Sequence, residues 1–248
     1  MKRSPSPRRR RLAALLGAVV ALGAGAAVLA APALIAAPSQ PGGAPTVIAA
    51  PALGAAAPTT GCAEVETIAV RGTTEGQGGG IVAGPLASAL QRQLPRTVRT
   101  HDLVYPASFA YRASKRQGVT ALRARLAQTS AACPDTEFVL IGYSQGADVI
   151  GDTLASGSVP AADRIGVVAL FGDPAFNSRE PFVTGSFRAG VNGVLPRATG
   201  ALGEFTDRVI SFCNRDDNVC QRGATGIGHF RYGTDRQAAV ESIADLLD

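Results

Sequence analysis

The chain has 248 residues, with 24 Lys and Arg against 19 Asp and Glu, a formal net charge of +5, and four cysteines. Six of the basic residues fall within the first eleven positions and no acid precedes Glu64, so residues 61–248 hold 18 basic and 19 acidic side chains, a net of −1. That balance excludes the concentrated positive surface on which nucleic-acid binding depends; Lys115, Arg116, Arg123 and Arg125 do cluster, but on a helix they read as a solvated face.

The start of the chain reads as a targeting segment. Lys2, Arg3 and Arg8 to Arg11 form a basic region, and Leu12 to Ala31 is uncharged Leu, Val, Ala and Gly, as a secretory signal requires. The 20-residue run is also long enough for a membrane anchor, and the paired arginines permit twin-arginine export. From Pro32 to Thr60 the chain is mostly Ala, Pro and Gly, too poor in large apolar groups to fold, and reads as a linker. The expected organisation is a signal peptide or N-terminal anchor over 1–37, a linker over 38–60, and one domain over 61–248, long enough for a sizeable core. Cys62, Cys133, Cys213 and Cys220 suit an exported protein with two disulfides in any of three pairings; they contain no C-x-x-C pair of the kind a structural zinc site uses.

Within that domain five strand-like segments alternate with helical ones. Val65 to Val70 is a first strand, followed by a Gly-rich loop and an amphipathic stretch with Leu86, Leu90 and Leu94. A second strand covers Thr97 to Tyr105, and a helix then places Val119, Leu122 and Leu126 on one face before Cys133-Pro134-Asp135 ends it. The third strand, Glu137 to Ile141, is apolar on both faces, as a central parallel strand should be. Gly142-Tyr143-Ser144-Gln145-Gly146 follows directly, and a helix with Ala147, Ile150 and Leu154 on one side comes next. Ile165 to Phe171 and Val209 to Cys213 are the fourth and fifth strands. The last helix begins at Thr234, with Gln237 three residues on as a capping box, and presents Val240, Ile243, Ala244 and Leu247. Alternation on this scale predicts an α/β fold with a parallel sheet covered on both sides. Ala175 to Phe205 has weak periodicity and reads as a long, functional loop.

The chemistry centres on the third strand. G-x-S-x-G between a buried strand and a helix is a nucleophile elbow, with glycines where helix and strand approach and a serine hydroxyl exposed at the tip. A serine needs a base to take its proton and a third group to orient that base. Of the two histidines, His229 follows the serine as the order serine, acid, histidine requires, whereas His101 precedes it and reads as structural. Asp173, Asp216 and Asp217 all lie between serine and histidine near strand ends; Asp173, before Pro174, reads as a turn residue. Oxyanion donors are expected from the Gln145 N–H at the start of the helix and from Thr73, through its N–H and hydroxyl. Gly76-Gln77-Gly78-Gly79-Gly80 lacks the lysine of a phosphate-binding loop and reads as flexible.

These residues resemble the cutinase family of serine esterases, in its secreted actinobacterial branch. The resemblance runs from about Cys62 to the C-terminus. It rests on Arg71-Gly72-Thr73-Thr74-Glu75, the elbow at 142–146, Leu170-Phe171-Gly172-Asp173-Pro174, the Cys213 to Cys220 loop, His229 with Tyr232-Gly233, and Tyr105-Pro106-Ala107-Ser108. It implies a small α/β-hydrolase with a five-stranded parallel sheet and no large lid. It further implies Ser144 as nucleophile, Asp217 as acid, His229 as base, Thr73 with Gln145 as oxyanion hole, and disulfides Cys62–Cys133 and Cys213–Cys220. Asp216 beside Asp217 departs from the commoner single acid. The expected activity is hydrolysis of lipidic esters of short to medium acyl chain, with envelope lipids, phospholipids and cutin-like polyesters as candidates. The expected enzyme is a monomer, secreted or at the cell surface, touching membrane only through an uncleaved N-terminal segment, and working without metal or organic cofactor. The rivals are an acetylxylan-type carbohydrate esterase and a non-catalytic surface protein that binds lipid.

Overall fold

A computed structural model describes residues 61–247. The signal or anchor expected over 1–37 and the linker over 38–60 lie outside the described residues. The strands are β1 (Val65–Val70), β2 (Val98–Asp102), β3 (Glu137–Tyr143), β4 (Ile165–Phe171), β5 (Val183–Thr184) and β6 (Val209–Phe212). The α-helices are α1 (Ala83–Gln93), α2 (Tyr111–Ala132), α3 (Gln145–Leu154) and α4 (Arg236–Leu247). The strands form one parallel sheet in the order β2-β1-β3-β4-β6-β5. Parallel neighbours need crossover connections, and these place helices on both faces.

The two faces follow the period of two along each strand. In β3, Val139 and Ile141 pack with Leu86 and Leu90 of α1 and Val240 and Ile243 of α4. Phe138 and Leu140 point the other way, onto Leu122 and Leu126 of α2 and Ala147 and Ile150 of α3. The helical faces read from the sequence are therefore those that cover the sheet. Cys62–Cys133 ties the chain before β1 to the end of α2, and Cys213–Cys220 closes the loop after β6. Among the described residues no helix is long and apolar enough to cross a membrane.

Several expectations are corrected. The sheet has six strands rather than five, because Val183–Thr184, inside the segment read as a loop, pairs with β6; two residues are too few to show a period. The second strand stops at Asp102, short of Tyr105, because the carbonyls of Leu103 and Tyr105 accept hydrogen bonds from the Arg71 guanidinium instead of from a neighbouring strand. The capping box does not form: the Thr234 hydroxyl donates to Arg231 O, Gln237 donates to Glu241, and α4 starts at Arg236 after a short 3-10 turn.

The basic cluster on α2 is likewise more than a solvated face. Lys115 reaches Asp148 and Asp152 at 3.1 and 2.7 Å, and Arg125 pairs with Glu66, a fully buried residue of β1. Arg99 of β2 and the Thr129 hydroxyl complete the shell around this carboxylate. Burial raises the Glu66 pKa, but the Arg125 and Arg99 guanidiniums outweigh burial and hold it below its ordinary value. A lowered carboxylate stabilises the fold above its unfolded pKa and loses that contribution as pH falls through the folded value. Glu66→Gln is accordingly expected to destabilise the protein by about 2 kcal/mol at pH 7. The gap to the parent should narrow once the pH falls well below the ordinary glutamate value of about 4.3 and through the lowered folded value, where the parent's carboxylate also protonates. Urea denaturation at pH 7 and in that acid range checks this; an equal gap at both would remove the ion-pair explanation.

Candidate active site

Ser144 sits between the end of β3 and the start of α3 at φ +53°, ψ −119°. A non-glycine residue is held there only by its surroundings. Its N–H donates to Phe171 O at 2.8 Å, and its carbonyl accepts from Ala147 N and Asp148 N. The flanking glycines are steric requirements: a Cβ on Gly142 would stand 2.7 Å from the Ala147 backbone, and one on Gly146 would stand 2.0 Å from Val70 O. At the N-terminus of α3 the Gln145 N–H has no acceptor within the helix. The Gln145 side chain, fully buried, accepts from the Ser114 hydroxyl and donates to Ser108 O, tying the loop before α2 to the elbow.

The loop after β1 is built around two charged side chains. Buried Arg71 donates to the carbonyls of Glu75, Leu103 and Tyr105, and the Tyr105 hydroxyl returns a bond to Arg71 O. The Glu75 carboxylate accepts from Gly72 N and Ile81 N. Thr73, half-exposed, is thereby held at the rim beside Ser144.

The loop after β6 presents Asp217 and hides it. Its Oδ1 accepts from Val219 N at 2.6 Å and Cys220 N at 3.1 Å. Its Oδ2 faces His229 Nδ1 at 2.8 Å and accepts from the Tyr232 hydroxyl at 2.6 Å. Burial raises the Asp217 pKa, but these donors, His229 foremost, hold it below its ordinary value. The same carboxylate and its own burial push the Tyr232 phenol well above its ordinary value, so it remains a donor. Tyr143 lies against the His229 ring, centroids 4.9 Å apart, and its hydroxyl donates to His229 O.

The candidate residues thus separate. Asp217 meets His229, whereas Asp216 is exposed. Asp173 is a turn residue, as expected, its Oδ1 accepting from Ala175 N, but it is also buried against Arg197 at 3.0 Å, a partner the sequence did not reveal. His101 lies on the edge strand β2, where burial and then the Arg125 charge lower its pKa. Ser144 and His229 line the same cavity of about 690 Å³. No direct bond joins the serine hydroxyl to the ring among the described residues, and the ring nitrogen facing Asp217 leaves Nε2 without a protein partner. Around the cavity Ile81, Phe109, Val194, Leu195 and Phe230 remain exposed, Phe109 at 85% and Phe230 at 70%. Among the described residues no group of three or more His, Cys, Asp and Glu is placed to hold a metal ion.

Tyr232, Arg71 and Glu75 were not given these roles by the sequence reading, although all three stand inside motifs it quoted. Buried polar groups take partners, and a Tyr three residues after the histidine was the available signal for Tyr232.

The family model described as Cutinase matches residues 61–247. Carboxylesterase Culp1 of Mycobacterium tuberculosis is 36% identical over 184 residues, covering 72% of this chain and 80% of that protein. The chain belongs to the cutinase family. It is accordingly a serine ester hydrolase. Phospholipase Culp4 of Mycobacterium tuberculosis is 32% identical over 192 residues, covering 72% of this chain and 77% of that protein. Among solved structures, the catalytic core domain of acetyl xylan esterase from Trichoderma reesei matches with a TM-score of 0.68 at 25% identity, over 74% of this chain and 98% of the other.

One glycine of this cutinase-family site allows a sharp test. Gly172 has φ +57°, and a Cβ there would lie 2.8 Å from His229 Nδ1 and 2.9 Å from Asp217 Oδ2. Gly172→Ala is expected to part ring from carboxylate and lower ester turnover by about a hundredfold. Turnover of nitrophenyl butyrate, read beside a thermal melt, checks it; a fully active, folded variant would show that the pair is not needed.

Proposed function

We propose that the protein is a secreted or cell-surface esterase acting on lipidic esters of short to medium acyl chain through Ser144, His229 and Asp217. The observation that carries the reading is that Ser144 and His229 open onto one apolar-rimmed cavity while Asp217 holds the far side of the imidazole. Asp217, ionised and fully bonded, keeps the proton on Nδ1 and leaves Nε2 as the base. Nε2 removes the Ser144 proton as Oγ attacks the ester carbonyl. The electron pair of the C=O bond moves onto oxygen, which is stabilised by the Gln145 N–H and the Thr73 donors. Collapse of this tetrahedral species expels the alcohol, which takes its proton from His229. Water then attacks the acyl-enzyme by the same steps and releases the acid. An apo geometry in which serine and histidine are not yet bonded is compatible with this, because such bonds tighten when substrate binds.

The exposed Ile81, Phe109, Leu195 and Phe230 support a lipidic rather than carbohydrate substrate, since a sugar would leave this apolar wall unmatched. The names of Culp1 and Culp4, carboxylesterase and phospholipase, agree with that class. The two disulfides and the basic-then-apolar N-terminal sequence support export.

A panel of nitrophenyl esters from acetate to palmitate tests the substrate class; activity confined to acetate would favour a carbohydrate esterase. Ser144→Ala should lower kcat by about a million-fold and abolish labelling by a fluorophosphonate probe, whereas a lipid-binding protein without catalysis would leave even the parent unlabelled. Asp217→Asn should lose about ten-thousandfold in kcat and Asp216→Asn no more than about twofold. The reverse order would reassign the acid.

A further inference from the structure

The segment between β4 and β6, largely irregular, supplies one wall of the cavity through Val194 and Leu195. One of its attachments to the rest of the site runs through Arg197. Nη1 donates to Asp173 Oδ2 at 3.0 Å and Nη2 to Asp148 Oδ1 at 3.2 Å. Asp173 belongs to the turn after β4, and Asp148 to the first turn of α3, the helix that starts at the Ser144 turn. Backbone bonds continue the attachment on either side: Leu195 N to Pro174 O, Arg197 N to Ala175 O, and Val194 N to Val219 O.

Two further observations show that this is a built socket rather than an incidental ion pair. Gly151, in the interior of α3, is unfavourable for a helix, yet a Cβ there would lie 2.2 Å from Arg197 Nη2 and 2.3 Å from Cζ. The glycine is the space the guanidinium occupies. Asp148 also accepts, through Oδ2, from the Tyr111 hydroxyl at 2.7 Å, and Lys115 stands 3.1 Å from the same oxygen. Tyr111 lines the cavity as Leu195 does. One buried carboxylate therefore ties two wall-bearing segments to the nucleophile helix. Burial is accepted even at the cost of leaving Arg197 Nε without a hydrogen-bond partner.

We propose that Arg197 is a positioning residue that sets the acyl-chain range of the cavity, by clamping the Val194–Leu195 wall to α3 through Asp173 and Asp148. This rests on the esterase reading above. Ser144, Val194 and Leu195 line one cavity. On the proposed reading an acetyl group on Ser144 would make little use of this wall, whereas a longer chain would run along it. A wall that shifts would lose contacts with the added methylenes alone.

The test compares nitrophenyl acetate with nitrophenyl octanoate in the full-length protein and two variants. Arg197→Lys keeps the charge but cannot bridge both carboxylates with a planar fork. Gly151→Ala removes no charge and favours the helix, but occupies the socket. In both, octanoate kcat/KM is expected to fall about tenfold or more relative to acetate, with the loss in KM, while acetate kcat/KM stays within about threefold of the parent. Folded variants whose octanoate-to-acetate ratio matches the parent overturn the proposal, as does an equal loss on both esters. Failure of both variants to fold, judged by circular dichroism, assigns Arg197 to stability alone and overturns it too. A parent that hydrolyses neither ester overturns the esterase reading instead.

Discussion

Where α3 meets the sheet, its first turn lies against β1 with no room for a side chain, Gly146 facing the Val70 carbonyl and Gly142 facing Ala147. This close approach holds the residue between them at a positive φ, a strain of about 1–3 kcal/mol. The Ser144 N–H bond to Phe171 O and the burial of Ala147, Val149 and Ile150 offset that strain. Everything proposed for the site depends on the resulting direction of α3. The Gln145 N–H, proposed as an oxyanion donor, stands at its N-terminus, the Gln145 side chain anchors the loop before α2, and Asp148, one turn on, bonds Arg197. Shift the helix outward by the width of a methyl group and these relations fail together.

A second constraint is electrostatic. A carboxylate as buried as Asp217 is tolerated because all four of its lone-pair directions are engaged, two by backbone N–H groups of its own loop and two by His229 and Tyr232. The division is informative. Oδ1 serves the loop that Cys213–Cys220 closes, so the disulfide and the carboxylate hold the same eight residues in place. Oδ2 serves the ring, and the Tyr232 phenol on the same oxygen fixes the carboxylate plane against rotation. Charge, loop and ring orientation are thus coupled through one side chain.

Much of this was legible in the sequence, and the reason is locality. The β3–elbow–α3 run combines an apolar strand, two glycines and an apolar helix face within 18 residues, each a short-range signal. The strands and helices around it were legible for the same reason, give or take their ends. Asp216 and Asp217 could not be separated from residues alone: they are neighbours, and what distinguishes them is the turn in which Asp217 N donates to Asn214 O, leaving one side chain inside and the other in solvent. Long-range charge pairing was equally hidden. Arg125 reads as a surface residue of an amphipathic helix until Glu66, 59 positions away, is placed beneath it. Thr234 and Gln237 satisfy a capping pattern, but the tight turn at Tyr232, held by Asp217 and Asn214, spends the Thr234 hydroxyl on Arg231 O.

The least legible part, residues 175–205, also supplies one wall of the cavity through Val194 and Leu195, and the two properties have one cause. A wall made of regular elements would be positioned by the same periodic apolar packing that sets the sheet, and would be readable for that reason. This wall is instead positioned by discrete polar bonds: Arg197 to two carboxylates, Asn177 to Arg197 O and Thr199, and Asn192 to Ser178. Such bonds have no period, so neither their donors nor their acceptors stand out along the chain. The division leaves a scaffold edge where a change of one methyl group is costly, beside a wall whose shape is set by a small number of loop bonds.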